Sequence, residues 1–299
     1  MKSSKFPSEA EIVIVGVGGI VGSMLAYWLT ELGQKNIVGL EKSTVIPSDI
    51  ASTAHASDFV YNTTHDKLGN WSTAFSRKFY EDNGFFLKKG GLEICRKDDE
   101  ARWEELKRKV ESGKSFGTNV RLISAAEAKE KFPLLEEESI RGAMWDPDAG
   151  LVIPRSQDVV NFAVENAKEK GSLTTYTDTP ATGFEIQNGR ITGVKTDKGT
   201  IKTDKVVIAS GIWGPLLGDM VGVPVPLAPV EHPLLFFGPL PQAQGAEDFL
   251  VYPLLRDQGN SAYVRDTGRL HGGMLEWGYY EDKEPRLVDP EDIGNPEKT

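Results

Sequence analysis

Four β-branched residues in a row, Ile12–Val15, predict a short strand buried on both faces, because a strand with one wet face would alternate with polar residues. Apolar residues then recur at helical spacing over 20–32 and stop at Gly33, a residue suited to closing a helix. A second strand-like run spans 36–40 and ends on Glu41. Strand, helix and strand within about 30 residues make a βαβ unit, the smallest half of a dinucleotide-binding fold.

Residues 47–61 are small and polar and read as a loop or a helix start. Helical patterns cover 71–87 and 98–112, and 90–96 reads as a strand after a glycine turn. Ser124 followed by Glu127 opens a helix over 124–132 as a capping box. A short strand at 141–145 runs into the turn DPDAG at 146–150, and a helix over 156–170 ends at Gly171. The texture then changes. Residues 181–188, 190–196 and 200–204 predict a β-meander with turns at Asn188-Gly189 and Lys198-Gly199. Another buried strand follows at 205–209, then a helix from Trp213. Prolines crowd 224–241 and favour edge strands or loops, and 252–273 supplies two more strands. The acidic, proline-bearing stretch 285–299 is expected to be an unpacked tail.

Composition narrows the function. The 299 residues suffice for one large domain or two moderate ones. A net charge of -10 disfavours nucleic acid or an anionic membrane as partner. The single cysteine, Cys95, excludes an internal disulfide. The four histidines, His55, His65, His232 and His271, lack metal-ligand spacing, so no metal is expected. The first residues lack the apolar core of a signal peptide, no run approaches the roughly 18 apolar residues of a membrane span, and the last residues, EKT, are not a peroxisomal signal. The default compartment is the cytoplasm, ahead of the mitochondrion or peroxisome.

The chemistry begins at the glycine loop. Gly16, Gly18, Gly19 and Gly22 lie between the first strand and its helix, where a backbone free of side chains can approach a pyrophosphate at the helix N-terminus. Glu41, followed by Lys42, stands about 20 residues on, where a carboxylate accepts from ribose hydroxyls. The spacing G-x-G-G-x-x-G is one residue longer than the usual fingerprint. Either Gly16, Gly18 and Val21 fill the three slots, or the loop bulges by one residue and Gly22 keeps the last. An acid after the second strand argues against a 2′-phosphate, which disfavours NADP and leaves NAD and FAD.

The second half of the chain bears on that choice. A helical region, a meander and then KVVIASGIWG (205–214) resemble the order of the glutathione-reductase-type FAD fold, with Ala209, Ser210 and Gly211 closing a strand near the cofactor. The segments STAHA (52–56), FPLL (132–135), GIWG (211–214) and PVEH (229–232) resemble the D-amino-acid-oxidase superfamily, and within it the dimethylglycine and sarcosine oxidase/dehydrogenase branch. The resemblance runs from about residue 11 to residue 280. It implies an α/β protein: a Rossmann-like FAD domain at 1–88 and 146–222, and a mixed-sheet substrate domain at 89–145 and 223–284. It further implies oxidation of a secondary or tertiary amine, such as an N-methylated glycine, by hydride transfer to flavin N5.

What the resemblance implies for single residues is specific. In S-T-x-H-A the histidine carries the flavin covalently, which gives that role to His55 and places Ser52 and Thr53 beside the cofactor. His232 matches the histidine of a P-x-x-H-Q-Y pattern that lies beside the substrate, although Pro233 and Leu234 replace its neighbours. Tyr263 matches the Y-x-R-x-x-G segment whose tyrosine positions substrate. Arg265, two residues on, shares its strand face and is expected to pair with a substrate carboxylate, against the competing reading of a solvated charge. The family's further C-terminal motif, T-x-D-G-x-P-x-x-G, is missing, so the chain is expected to lack the C-terminal part that completes the cofactor pocket. Two other functions stay open on the sequence: a non-catalytic relative on the same scaffold, and an NAD-dependent dehydrogenase, against which the meander argues.

Overall fold

A computed structural model describes residues 6–62, 65–245, 247–281 and 284–293. In chain order, β1 (Ile12–Val15), α1 (Ile20–Glu31) and β2 (Ile37–Leu40) come first, followed by a 3-10 turn at Ser52–His55. The next stretch holds β3 (Phe59–Val60), α2 (Lys67–Asp82), β4 (Phe86–Lys88), β5 (Gly91–Arg96) and α3 (Glu100–Ser115). It continues with β6 (Arg121–Ser124), α4 (Ala125–Lys131), β7 (Ile140–Asp146) and β8 (Gly150–Val152). Then come α5 (Ser156–Glu169), β9 (Leu173–Tyr176), β10 (Ala181–Gln187), β11 (Arg190–Thr196), β12 (Gly199–Lys202), β13 (Val206–Ile208) and α6 (Gly214–Asp219). The last described elements are β14 (Val230–Glu231), β15 (Leu234–Phe237), β16 (Leu254–Asp257), β17 (Ala262–Asp266), β18 (Leu275–Tyr279) and β19 (Arg286–Leu287).

These elements form two compact units, Met1–Ala56 with Arg155–Val230 and Leu287–Thr299, and Ser57–Pro154 with Glu231–Arg286. The division falls after Ala56 rather than after residue 88, and after Pro154 rather than after residue 145. The reason is pairing: β3 and β4 both pair with β8, which holds residues 57–88 and 150–154 together in the second unit. The stretch expected to be a tail contributes β19, and the Val288 N–H donates to the Pro229 carbonyl at 3.1 Å. Its residues 294–299 lie outside the described ones.

The first unit is a three-layer stack. Its parallel sheet has the order β13-β1-β2-β9. Ile12 and Ile14 of β1 point to one face, where they pack with Ala26 of α1 and Val160 and Val164 of α5. Val13 and Val15 point to the other, against Val194 and Ile201 of the antiparallel meander β10-β11-β12. Both faces of β1 are therefore dry, and each buried aliphatic chain contributes about 1.5–3 kcal/mol. This is why the run is unbroken by polar residues. Helices, parallel sheet and meander together give the Rossmann-like arrangement expected of an FAD-binding fold.

The second unit is built on a seven-stranded mixed sheet of order β15-β18-β17-β16-β5-β7-β6, in which only the β16–β5 pair is parallel. Residues of α4 pack with Leu92, Ile94 and Ala143 on one side, and residues of α3 pack with Cys95 and Met144. Helix α2 begins at the Asp66 cap, which accepts from the Gly69 N–H at 2.6 Å, and ends before Gly84, so β4 forms where the periodicity extended the helix. Ser124 caps α4 as expected. The DPDAG turn is fastened by Asp146, whose carboxylate accepts from the Asn62 N–H at 2.7 Å, the Asn62 side-chain amide at 2.8 Å and the Asp148 N–H at 3.0 Å. Burial still holds Asp146 above the usual carboxylate range. Asp146→Ala strips two buried donors and one part-buried donor of their acceptor, and chemical denaturation should show a loss of about 2–4 kcal/mol.

Candidate functional site

In the first unit a cavity of about 520 Å³ lies at the carboxyl ends of β1, β2 and β13, where parallel α/β sheets hold their ligands. The glycine loop forms one wall. Gly16 has φ +94°, and a Cβ at Gly22 would lie 2.2 Å from the Gly16 carbonyl oxygen. Gly22 thus keeps the closing position of the fingerprint, and the loop ahead of α1 absorbs the extra residue. Gly16 also abuts Ala209, whose carbonyl oxygen would be 2.6 Å from an added Cβ. Gly19, immediately before α1, has open space on its cavity side, with Thr53 Oγ1 the nearest atom to an added Cβ at 3.8 Å.

Glu41 is 6 % exposed, and both its oxygens are engaged by backbone. Oε2 accepts from the Gly18 N–H and Oε1 from the Ser43 N–H, each at 2.9 Å. Its carboxylate therefore fastens the glycine loop as well as lining the cavity. Lys42 lies over the Trp213 ring, with Nζ 4.9 Å from the centroid. Thr53 Oγ1 accepts from the Ile20 N–H at 3.1 Å and so caps the first turn of α1. Ser52 and Thr53 line the cavity, whereas His55, at the end of the same 3-10 turn, is exposed and is not part of that lining. Arg155 holds this turn from behind, donating to the Ala56 and Ala54 carbonyls at 3.0 and 3.4 Å. Gly211, at φ +52°, opens the 3-10 turn that carries Trp213.

The second unit carries the residues expected near a substrate. Tyr263 on β17 lies flat over Gly278 of β18, where an added Cβ would strike its ring. Phe59 stands edge-on to Tyr263 at 5.4 Å and Tyr280 lies 5.8 Å away. His232 packs edge-on against Tyr280 at 4.7 Å, and its Nδ1 is 2.8 Å from Glu281 Oε2. The hydrogen bond with His232 holds Glu281 below the usual carboxylate range, and burial raises the Tyr263 hydroxyl.

Arg265 corrects the sequence expectation. Its Nη2 is 2.5 Å from Glu276 Oε2, directly across β17 and β18, and the side chains are 5 % and 2 % exposed. It is neither a solvated charge nor free to take a substrate carboxylate. Asp266 beside it accepts from the N–H groups of Val251, Tyr252 and Gly268 at 2.8, 2.8 and 2.9 Å. The arginine and the aspartate of this segment are thus structural, and the tyrosine is the one of the three that is only half-buried.

The profile of the family described as DAO, FAD dependent oxidoreductase, matches residues 11–296. The chain belongs to this family. It is 28 % identical to human mitochondrial sarcosine dehydrogenase over 292 residues and 29 % identical to human mitochondrial dimethylglycine dehydrogenase over 292 residues, covering 93 % and 95 % of this chain. It spans only 30 % and 32 % of those proteins' lengths. The solved L-proline dehydrogenase from P. horikoshii superposes with a TM-score of 0.81 at 28 % identity, over 96 % of this chain and 75 % of that one.

The cavity fits the family's cofactor. Trp213 Nε1 and Ser210 Oγ are buried in its wall with no hydrogen-bond partner among the described residues, so a polar ligand has donors waiting. Ile20, Ile208, Ile212 and Met220 supply apolar surface. Sequence reasoning had not assigned Trp213, Arg155 or Ser48 to this site. An arginine that reaches a turn about a hundred positions earlier leaves no local signal.

Two substitutions test these assignments. Glu41→Ala removes the acceptor of two buried N–H groups; the Gly18 amide should exchange faster and unfolding free energy should fall by about 2 kcal/mol. Arg265→Met alone leaves Glu276 buried and unpaired and should cost about 3–5 kcal/mol, while Arg265→Met with Glu276→Leu should recover most of it in denaturation experiments.

Proposed function

We propose that the chain is the cofactor- and substrate-binding part of an enzyme that oxidises a secondary or tertiary amine, with an N-methylated glycine or a similar amino acid as substrate. One observation carries the reading: the glycine loop, the STAH turn and the Ala209–Gly211 turn meet around one cavity at the strand ends, in a chain whose relatives include enzymes named for sarcosine and dimethylglycine. In this reading the first unit takes FAD and the second the amine. Bound FAD supplies the two-electron oxidant, accepting a hydride at N5 from the carbon beside the nitrogen.

The chain's own residues have defined tasks. Gly16, Gly19 and Gly22 keep the backbone close to the diphosphate, and the N-terminal N–H groups of α1 face it. Glu41 keeps the loop in shape and offers its remaining lone pairs to the ribose. Ala209, Ser210, Gly211 and Trp213 close the opposite wall, with Lys42 held against the Trp213 ring. Thr53 ties the STAH turn to α1, and Arg155 holds the Ala54 carbonyl within it and the Ala56 carbonyl just after it, on either side of His55. His55 would be the residue that carries the flavin, through the 8α carbon. In the second unit Tyr263 and His232 orient the amine, His232 through the ring position that Glu281 fixes. Two relatives carry mitochondrial names, which makes the mitochondrion the compartment to test beside the cytoplasm.

The test is optical. The purified chain should be yellow, acid precipitation should leave flavin in the pellet, and the peptide containing His55 should carry its mass. His55→Ala should release the flavin on precipitation while the fold is kept. Colourless protein that binds NAD instead would end this reading, and colourless protein that binds neither nucleotide would favour a non-catalytic relative.

A further inference from the structure

The last turn of the meander does more than connect β11 to β12. Thr196 fixes that turn: its hydroxyl donates to the Gly199 carbonyl at 2.8 Å and accepts from the Lys198 N–H at 3.1 Å. From this base the Lys198 side chain reaches the segment between β9 and β10. Its Nζ donates to the carbonyls of Thr177 and Asp178 at 3.0 and 2.6 Å and to Thr179 Oγ1 at 2.8 Å. An ammonium group has three donors, and here each has an acceptor. All three acceptors are neutral oxygens, so the contact is a clamp on backbone rather than an ion pair.

The clamped segment is one that needs holding. Asp178 has φ +47°, an unfavourable conformation for a residue with a Cβ. Its N–H donates to the Ser43 carbonyl at 2.8 Å, and the Thr179 N–H donates to the Glu41 carbonyl at 2.9 Å. Thr179 is fully buried, and with Pro180 and Ala181 it lines the glycine-loop cavity that Glu41 and Lys42 also line. Glu41 is the residue that offers its carboxylate to the ribose in the FAD reading, so this wall borders the adenosine end. Lys198 itself is exposed, and water would rehydrate the carbonyls if its ammonium were removed. The loss would therefore fall less on the fold than on the fixed shape of the turn. A wall that the ligand must order binds more weakly than one already ordered.

We propose that Lys198 is a positioning residue for the nucleotide: acting through Thr177–Thr179, it holds the adenosine-side wall of the cavity in its binding conformation. The identity of the ligand rests on the FAD reading above; the clamp on the turn does not.

The test uses the His55→Ala chain as parent, so that FAD binds reversibly. Lys198→Met in that parent should weaken FAD, followed by flavin fluorescence, and ADP, followed by calorimetric titration, each about 10-fold. By hydrogen exchange the Asp178 and Thr179 amides should open about 10-fold faster, while those of β1 stay as protected as in the parent. Lys198→Cys should behave like Lys198→Met, and alkylation with 2-bromoethylamine, which rebuilds an ammonium at lysine's length, should bring FAD affinity back to within about threefold of the parent. Cys95, 0 % exposed, is shielded from the reagent. Unchanged FAD and ADP affinity in Lys198→Met would overturn the proposal, as would a loss that the rebuilt ammonium does not restore or that comes with faster exchange throughout β1. A parent that binds neither FAD nor ADP would end the cofactor reading and this proposal with it, whereas a parent that binds both and a Lys198→Met chain that binds them equally well would end this proposal alone.

Discussion

The buried carboxylate of Glu41 sets the shape on which the rest of the first unit depends. A carboxylate 6 % exposed is costly to ionise unless hydrogen bonds replace the water it has lost. Here the replacements are two backbone N–H groups, one from the glycine loop and one from the chain just after β2. The same two bonds join β1's exit to β2's exit, so the strand ends that frame the cavity are fixed relative to each other. Glycine at position 18 is a consequence: a Cβ there would lie 2.5 Å from the carboxylate oxygen. The loop's backbone, the acid and the glycine therefore form one steric and electrostatic unit, and the lengthened glycine spacing is tolerated because Gly22 still packs on Gly16.

Much of the first unit was legible because its physics is local. A strand with two dry faces writes an unbroken aliphatic run, and a helix that must pack on both a strand and a loop writes a glycine at its first turn. The meander announced itself through Asn188-Gly189, where both residues take positive φ. What was missed is equally physical. The sequence LTTY of β9 carries little hydrophobic signal because it is the edge of its sheet, with Leu173 packed on one face and Tyr176 on the other. The sequence LEWGY of β18 hides behind a buried glutamate and a glycine, and both have a partner across the sheet: Glu276 faces Arg265, and Gly278 lies under Tyr263. Periodicity counts a charge as solvent-facing and has no means of knowing that its countercharge arrives from eleven residues away.

The unit boundaries failed for a related reason. The composition changes near 88–90 and 145–150, where turns and glycines cluster, but domains follow pairing rather than composition. β3 and β4 are too short to be read as strands, yet both add to β8 and carry α2 with them into the second unit.

Two arginines on one sheet face show how burial and partnership separate structure from chemistry. Arg265 satisfies a spacing argument perfectly well, since it shares a face with Tyr263, but it is sealed in a pair that leaves its own Nε and Glu276 Oε1 without partners. A pair of that kind stabilises little in net terms against an apolar substitute, because desolvation of both ions offsets their attraction. What it does supply is discrimination: a one-residue slip between β17 and β18 would bury two unpaired charges, so the pair selects the register that puts Tyr263 over Gly278. Arg256 is only half-buried. Its guanidinium lies over the Tyr61 ring, and the residue lines a polar cavity. Position on a sheet face is thus a weaker guide to a side chain's task than its burial and its partners.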